Sequence, residues 1–257
     1  MDTDSPLAKA VELGASFERH GVPYAIGGAL AYGVWGIPRA TLDVDINVFV
    51  DETALAPVVT ALESLGVVLD AKQAEHDAAA QGMFVVRYDG YRVDVFTASI
   101  PFCAEAARTR VSVSIESRAA WFLSAESVAV FKMLFYRPKD LVDLERLVAV
   151  RGADLDVGYV RQQLVDTVGL EDLRITRWDQ LTGRVRASPD QEYVVERALL
   201  LRGSKLFSVL KGADGLVLEI ELDRQAVGTF RDGDRVRIGL SGGLELVSRA
   251  HDLSRGR

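Results

Sequence analysis

The chain has 257 residues, one cysteine, three histidines and a formal net charge of −7. A single cysteine excludes an intramolecular disulfide, and one thiol with three histidines forms no recognisable zinc-ligand cluster. The negative charge is concentrated in residues 1–183, which argues against broad, non-specific binding of nucleic acid by that part, although a local basic strip can still hold such a substrate.

The N-terminal sequence MDTDSPLAKA lacks the basic start and the apolar run of a signal peptide. No apolar stretch approaches the roughly 18 residues that a membrane span needs. We therefore expect a cytoplasmic protein with no membrane partner.

The first elements surround a pair of glycines. Residues 6–20 carry apolar side chains at helical spacing and predict a helix. A short strand then runs into Gly27-Gly28, a second helix is expected at 29–35, and a strand is expected at 42–50.

A hairpin is the clearest signal in the next stretch. Residues 52–65 are typical of a helix, and the runs MFVVRY and YRVDVFTA then predict two strands joined at Asp89-Gly90, a strong two-residue turn signal. A short helix at 101–108 and a strand at 111–115 complete this part.

In the second half of the chain the sequence pattern changes twice, first to helices and then to strands. Helices are expected from Ser124, at 138–150 and within 156–182, after which the polar stretch 184–192 is a linker candidate. The runs LFSVLKG, GLVLEIEL, DRVRIGL and LELV then predict a small β-rich module, for which a small barrel is one arrangement.

Three carboxylates form the strongest chemical signal. Asp43 and Asp45 are two residues apart on a predicted strand, so both side chains point to the same face. Asp94, on the second hairpin strand, joins that face if its strand lies beside 42–50. Three clustered carboxylates repel one another, and a hard divalent cation such as magnesium relieves that repulsion.

The glycine pair lies just upstream of these carboxylates. Glycine lets the backbone approach a ligand closely, and the N-terminus of the following helix favours anions. Gly27 and Gly28 can therefore cradle phosphates, although a strand followed by Gly-Gly is most often only a turn. Asp-x-Asp is likewise common on solvated strand edges, so the order of the motifs matters more than any one of them.

That order resembles the signature of the polymerase-beta-like nucleotidyltransferases. The resemblance rests on YAIGG (24–28) and PRATLDVD (38–45), followed by KMLFYRPKDLVD (132–143). The Arg-x-Thr-x-Asp-x-Asp form is similar to the AbiEii and MenT-like toxin nucleotidyltransferases and their bacterial relatives. The resemblance covers roughly residues 20–150.

The resemblance implies a set of site residues. Asp43, Asp45 and Asp94 would be catalytic and would bind two magnesium ions, with Asp94 as a candidate base. The nucleotide would be held by Gly27, Gly28, Arg39, Thr41 and Lys132. Arg137 and Asp140 are further candidates, although helix-end ion pairing is favoured for Asp140 and Asp143. Many family members have Gly-Ser where this chain has Gly27-Gly28, and the serine hydroxyl contacts a phosphate. In this chain that contact must come from backbone N–H groups or from Thr41.

The fold implied is α/β (α+β), a nucleotidyltransferase mixed sheet with flanking helices. Its core would span residues 1–123, a helical half at 124–183 would complete the nucleotide cleft, and 190–257 would form the β-rich module. The enzyme would transfer NMP from an NTP substrate to a hydroxyl. The favoured acceptor is an RNA or tRNA 3′ end, as in toxin–antitoxin systems, with an antitoxin or a second copy as further partners.

Two other kinds of function stay open at this point. The acceptor can instead be a protein or a small molecule such as an aminoglycoside. Alternatively, the core binds nucleotide without turnover as a regulatory protein, or the tail makes the chain a structural interaction protein.

Overall fold

The computed structural model describes residues 5–116, 118–183, 192–202, 205–213, 217–222, 226, 228–238 and 244–250. The chain divides into two compact units, Met1–Thr182 and Gly183–Arg257. In the described part of the chain, no helix is long and apolar enough to cross a membrane.

The first unit contains a mixed sheet flanked by helices, which confirms the predicted α/β fold class. Its described helices are α1 (Pro6–Arg19), α2 (Gly28–Trp35), α3 (Ala56–Glu63), α4 (Ala71–Gln81), α5 (Phe102–Thr109), α6 (Ala125–Phe135), α7 (Pro138–Arg151), α8 (Val157–Val168) and α9 (Leu173–Leu181). Its described strands are β1 (Tyr24–Ile26), β2 (Asp43–Val48), β3 (Met83–Tyr88), β4 (Tyr91–Phe96), β5 (Val111–Ile115) and β6 (Arg118–Phe122).

The sheet order places β2 beside the hairpin. The six strands are arranged β3-β4-β2-β1-β6-β5. Strand β2 pairs in parallel with β4 and antiparallel with β1, while β1 pairs in parallel with β6. The strand of Asp94 is therefore the direct neighbour of the strand that carries Asp43 and Asp45. This is the arrangement that the sequence analysis required for the three carboxylates to share a face.

Two local predictions are confirmed by backbone geometry. The β3–β4 hairpin turns at Asp89 and Gly90, which have φ angles of 50° and 84°, as a two-residue turn of mirror-image type requires. Pro138 stands in the first turn of α7 rather than inside a continuous helix.

Other predictions were incomplete. The expected strand at 42–50 is shorter, Asp43–Val48, and the expected helix at 52–65 is reduced to Ala56–Glu63. Helix α4 and strand β6 were not predicted at all.

Strand β2 carries core residues on one face and the candidate carboxylates Asp43 and Asp45 on the other. Its side chains alternate between faces, and Val44, Ile46 and Val48 are fully buried on one of them. Helix α1 packs against β1, β2 and β6 and contributes Leu13 and Phe17 to the same core cluster. The opposite face of β2 is left for Asp43 and the residues that alternate with it.

The helical half covers the region around the Gly-Gly turn. Helix α2 contacts β2, α6 and α7, and α6 also contacts α8 and α9. Ser124 caps α6 by accepting a hydrogen bond from the backbone N–H of Ser127 at 3.1 Å, as the sequence predicts. Tyr136 ends α6 in the left-handed conformation, and α7 starts two residues later.

The second unit is a five-stranded antiparallel sheet in the order β11-β10-β7-β8-β9. Its strands are β7 (Glu192–Arg202), β8 (Lys205–Gly212), β9 (Val217–Leu222), β10 (Arg235–Ile238) and β11 (Leu244–Ser248). No pairing joins β11 to β9 among the described residues, so the described part of the sheet is open, whereas a closed barrel was considered from sequence. Strand β7 was not predicted, and most of the linker candidate, 184–191, lies outside the described residues.

Candidate active site

One face of β2 lines a cavity of about 600 Å³. Asp43, Asp45 and Asn47 occupy alternate positions on this strand, so their side chains share the face opposite to the core. All three line the cavity, and burial increases along the row from Asp43, which is exposed, to Asn47, which is 8% exposed.

Because β2 pairs in parallel with β4, each residue of this row has a direct neighbour on β4. Asp45 lies opposite Asp94, and Asn47 lies opposite Phe96. Neighbouring strands are about 4.8 Å apart, so the Asp45 and Asp94 carboxylates emerge side by side on the cavity face. Asp43 lies opposite Arg92, which places a cation at the outer end of the row.

The two glycines make room for two side chains of β2. A Cβ on Gly28 would overlap the Asp45 carboxylate, and a Cβ on Gly27 would overlap the Asn47 amide nitrogen. Gly28 also has a φ angle of 54°, which disfavours any L side chain. The Gly-Gly pair is therefore a site for close packing against the polar row, and a serine at Gly28 would clash with Asp45.

Helix α2 begins where Asp45 meets the glycines. Gly28 is its first residue, and the Gly27 N–H donates to the Asp45 carbonyl oxygen at 2.9 Å, which fixes the turn to β2. The first N–H groups of a helix lack intrahelical partners and form a positive end that favours anions. The start of α2 is thus held directly beside the carboxylate pair.

Asp45 lies in a part of the cavity where negative charge outweighs positive charge. Burial raises the pKa of this carboxyl, and the charges of Asp94 and Asp43 raise it further. The positive charges of Arg137 and Lys132 act in the opposite direction but do not cancel the shift. A cation between these carboxylates would remove the repulsion.

Arg92 partly supplies that charge from the edge of the cavity. Its Nε atom donates to Asp94 Oδ1 at 2.7 Å, and this bond raises the pKa of the arginine. No group of three His, Cys, Asp or Glu side chains is arranged to hold a metal among the described residues. The three hard oxygen donors on one cavity face nevertheless fit magnesium chemically, provided that Asp94 releases or shares Arg92.

Lys132 lies at the centre of a buried ion-pair network. Its ammonium is 2.7 Å from Asp143 Oδ2 and 3.3 Å from Asp140 Oδ1, and all three side chains are at most 7% exposed. It also lies 5.1 Å from the centre of the Tyr32 ring on α2. The lysine expected at the phosphates thus lines the cavity but already bonds two carboxylates of α7.

Two arginines complete this network from its exposed side. Arg137 Nε donates to Asp140 Oδ2 at 2.6 Å, and Arg39 Nε donates to Asp143 Oδ2 at 3.3 Å. Burial alone would raise the pKa of Asp140, but the bond from Arg137 and the charge of Lys132 outweigh it, and the pKa is lowered. The network carries three cations against two anions, so it presents positive charge to the cavity.

Of the cations named from the sequence, Arg39 and Arg137 are accessible, whereas Lys132 is buried. The side chains of Arg137 and Arg39 are 51% and 33% exposed, against 7% for Lys132. Lys139 is exposed and also lines the cavity. An incoming anion therefore meets Arg137, Arg39 and Lys139 before it meets Lys132.

An aromatic wall adjoins the polar row. Phe96, Phe131 and Phe135 line the cavity, and the Phe96 and Phe135 ring centres are 5.8 Å apart. The Arg137 guanidinium lies 4.8 Å from the centre of the Phe135 ring. The cavity thus combines a charged part with an apolar, aromatic part, as sites for nucleotides and other amphipathic ligands do.

Neither a family model nor a curated protein sequence matches the chain. Solved structures with similar folds include the antibiotic-resistance factor ANT(2'')-Ia, at 15% identity and a TM-score of 0.46 over 65% of this chain and 94% of that chain. The lincomycin-bound lincosamide antibiotic adenylyltransferase LnuA is 16% identical, with a TM-score of 0.37 over 56% of this chain and 96% of that chain. A putative nucleotidyltransferase from Thermotoga maritima is 14% identical, with a TM-score of 0.37 over 56% and 90%. Likenesses this distant assign neither a family nor an activity to the chain.

The structure brings most of the candidate residues to one place. The cavity lining includes Gly28, Arg39, Thr41, Asp43, Asp45, Asp94, Lys132, Arg137 and Asp140. Gly27 lies behind this lining, against Asn47. Thr41, named from the sequence as nucleotide-binding, precedes β2, which begins at Asp43, and its hydroxyl bonds the Asp43 backbone at 3.2 Å.

Sequence reasoning missed Asn47, Arg92 and the aromatic wall. Asn47 continues the two-residue alternation of Asp43 and Asp45, so the same periodicity could have identified it. Arg92 likewise lies two residues before Asp94. The wall could not be found in this way, because Phe96 belongs to β4 while Phe131 and Phe135 belong to α6.

Proposed function

We propose that the protein is a metal-dependent nucleotidyltransferase that moves NMP from an NTP to a hydroxyl group. The observation that carries this proposal is the parallel pairing of Asp45 with Asp94, with Gly28 and the start of α2 packed directly against Asp45. A carboxylate pair adjoining an anion-binding helix end is what magnesium-assisted phosphoryl transfer needs.

Asp43, Asp45 and Asp94 would hold two magnesium ions. Such ions neutralise the phosphate charge and orient the reacting oxygens when bound. The triphosphate would lie along the start of α2, with Arg39 and Arg137 on its other side. Lys132 would act mainly through Asp140 and Asp143, by fixing α7 and hence the position of Arg137.

The proposed reaction is an in-line displacement at the α-phosphorus. The acceptor oxygen forms a new bond to this phosphorus, and the bond from the phosphorus to the bridging oxygen breaks. Pyrophosphate leaves with the electron pair of that bond. Asp94, at the edge of the carboxylate group, is the candidate that receives the acceptor proton, directly or through water.

The acceptor that we propose first is an RNA 3′ end. Its support is the similarity of the segment from Arg39 to Asp45 to the toxin-type enzymes. Basic residues of the second unit could also guide an RNA backbone, but of Arg184, Arg186, Arg197, Arg202 and Lys205 only Arg197 has a described side chain. Protein or small-molecule acceptors involve the same chemistry, so one experiment should separate them.

The test is incubation with magnesium and each α-labelled NTP, in separate reactions with total bacterial RNA, with protein lysate and with an aminoglycoside. We expect label on the acceptor from one or more NTPs. We expect Asp45→Asn and Asp94→Asn each to reduce transfer by a factor of about 1,000 or more, because each removes a metal ligand.

The matched control is Asp154→Asn, which removes an exposed carboxylate that does not line the cavity. Its transfer rate should equal that of the wild type. NTP binding without transfer to any acceptor class would favour the non-catalytic, regulatory function, and absence of NTP binding would contradict the proposal altogether.

A further inference from the structure

The Asn47–Phe96 pair lies next to the carboxylate pair and has no part in the proposed metal site. Asn47 follows Asp45 by two residues on β2, and Phe96 follows Asp94 by two residues on β4. Two residues advance a strand by about 6.8 Å, so this pair lies one step further along the cavity than the acidic pair.

Asn47 is a largely buried residue whose amide opens onto the cavity and forms no hydrogen bond with the residues that the structure describes. It is 8% exposed, and its amide nitrogen packs on the backbone of Gly27. Buried polar groups are nearly always hydrogen-bonded, so an unpaired amide that faces a cavity indicates a ligand that completes it.

The surroundings of this amide suit a flat, unsaturated ligand. Phe96 is its direct neighbour across the strands, and the Phe135 ring lies 5.8 Å from the Phe96 ring. Proteins recognise an unpaired nucleobase by hydrogen bonds to its edge and by aromatic contact with its face. A carboxamide can donate and accept at once, as the edge of every nucleobase also can.

We propose that Asn47 hydrogen-bonds the nucleobase of the bound NTP while Phe96 and Phe135 contact the face of the base. This inference rests on the proposed function, since it takes the triphosphate to lie at Asp45 and the start of α2. The spacing agrees with it, because a base is separated from its α-phosphate by the sugar, a distance comparable with one step of the strand.

The test compares ligands with and without a base. Calorimetry would measure the binding of ATP, GTP, CTP, UTP, ribose 5-triphosphate and inorganic tripolyphosphate, each with magnesium, to the full chain and to Asn47→Leu. We expect the variant to lose about tenfold in affinity for the NTP that binds best, and to bind ribose 5-triphosphate and tripolyphosphate as the wild type does.

A second measurement, the Tm of Asn47→Leu, needs no nucleotide. Replacing an unpaired buried amide with an apolar side chain of similar size should leave the Tm unchanged or raise it. The matched control is Thr97→Val, which alters the same cavity wall at a hydroxyl already bonded to the Gly82 carbonyl oxygen. This control should leave NTP affinity unchanged.

Three results would overturn the inference in distinguishable ways. Unchanged NTP affinity in Asn47→Leu would remove Asn47 from recognition while leaving the proposed function intact. An equal loss for ribose 5-triphosphate would assign the amide to the sugar or the phosphates. If the wild type binds neither NTP nor tripolyphosphate, the proposed function fails together with the inference.

Discussion

At the scale of single residues, Gly28 most directly controls where Asp45 lies. We expect Gly28→Ala to lower nucleotidyl transfer by about 100-fold or more, because its methyl group would displace the Asp45 carboxylate. The left-handed φ of 54° adds strain of about 1–2 kcal/mol for any L residue. Transfer rates and the Tm, measured on the same preparation, separate the two effects.

Gly33→Ala is the matched control, since Gly33 lies in the same helix. A Cβ there would meet only Pro38, at an ordinary contact distance of 3.6 Å. The alanine should leave transfer unchanged and stabilise the helix by up to about 1 kcal/mol. Equal activities of the two variants would show that the position of Asp45 does not depend on Gly28.

The same scale shows what sequence can and cannot give for the candidate site. Asp43 and Asp45 share a face because strands alternate, which follows from spacing alone. The pairing of Asp45 with Asp94 needs the strand order and the register, which depend on contacts distant in sequence. Lys132 illustrates the limit, because its position in an apolar helix indicates a buried charge but does not reveal that Asp140 and Asp143 neutralise it.

At the scale of elements, the Lys132 network joins α6 to α7. We expect Lys132→Met to destabilise the protein by about 3–5 kcal/mol, because it leaves Asp140 and Asp143 as buried anions without their shared partner. Urea denaturation at pH 7 would measure this difference. Lys139→Met removes an exposed lysine from the same segment and should change stability by no more than about 0.5 kcal/mol.

The outcome also tests the role assigned to this lysine. A Lys132→Met protein of unchanged stability but weakened tripolyphosphate binding would make Lys132 a phosphate ligand, as the sequence resemblance implies. A destabilised protein whose remaining folded fraction still binds tripolyphosphate would support the proposal that Lys132 acts by fixing α7.

The elements that sequence missed share a physical cause, which is a weak or broken hydrophobic pattern. Helix α4 buries only Ala74 and Ala78, so its sequence has no pronounced apolar stripe. Strand β6 is five residues long and begins with two exposed positions. Strand β7 has register shifts near Arg197, and such irregularities interrupt the alternation by which a strand is recognised.

At the scale of the whole molecule, the change in sequence texture near residue 184 coincides with the boundary between the two compact units. The larger core cluster is confined to the first unit, and the second unit has a cluster of its own, built around Tyr193, Leu210 and Val236. Hydrophobic periodicity could indicate this division, because each unit buries its own apolar residues. The order of strands within each sheet could not be read in the same way.

The division leads to a prediction for the isolated first unit. A chain that ends at Gly183 should unfold in a single sharp thermal transition and bind magnesium–NTP within about threefold of the full chain. The reason is that the described cavity is lined only by residues between Gly28 and Thr167, and the larger core cluster also ends before Gly183. Loss of the transition would mean that the second unit is needed for folding. Retained NTP binding with loss of transfer to the acceptor would instead assign acceptor recognition to the β-rich unit, because the nucleotide site would then be intact without it.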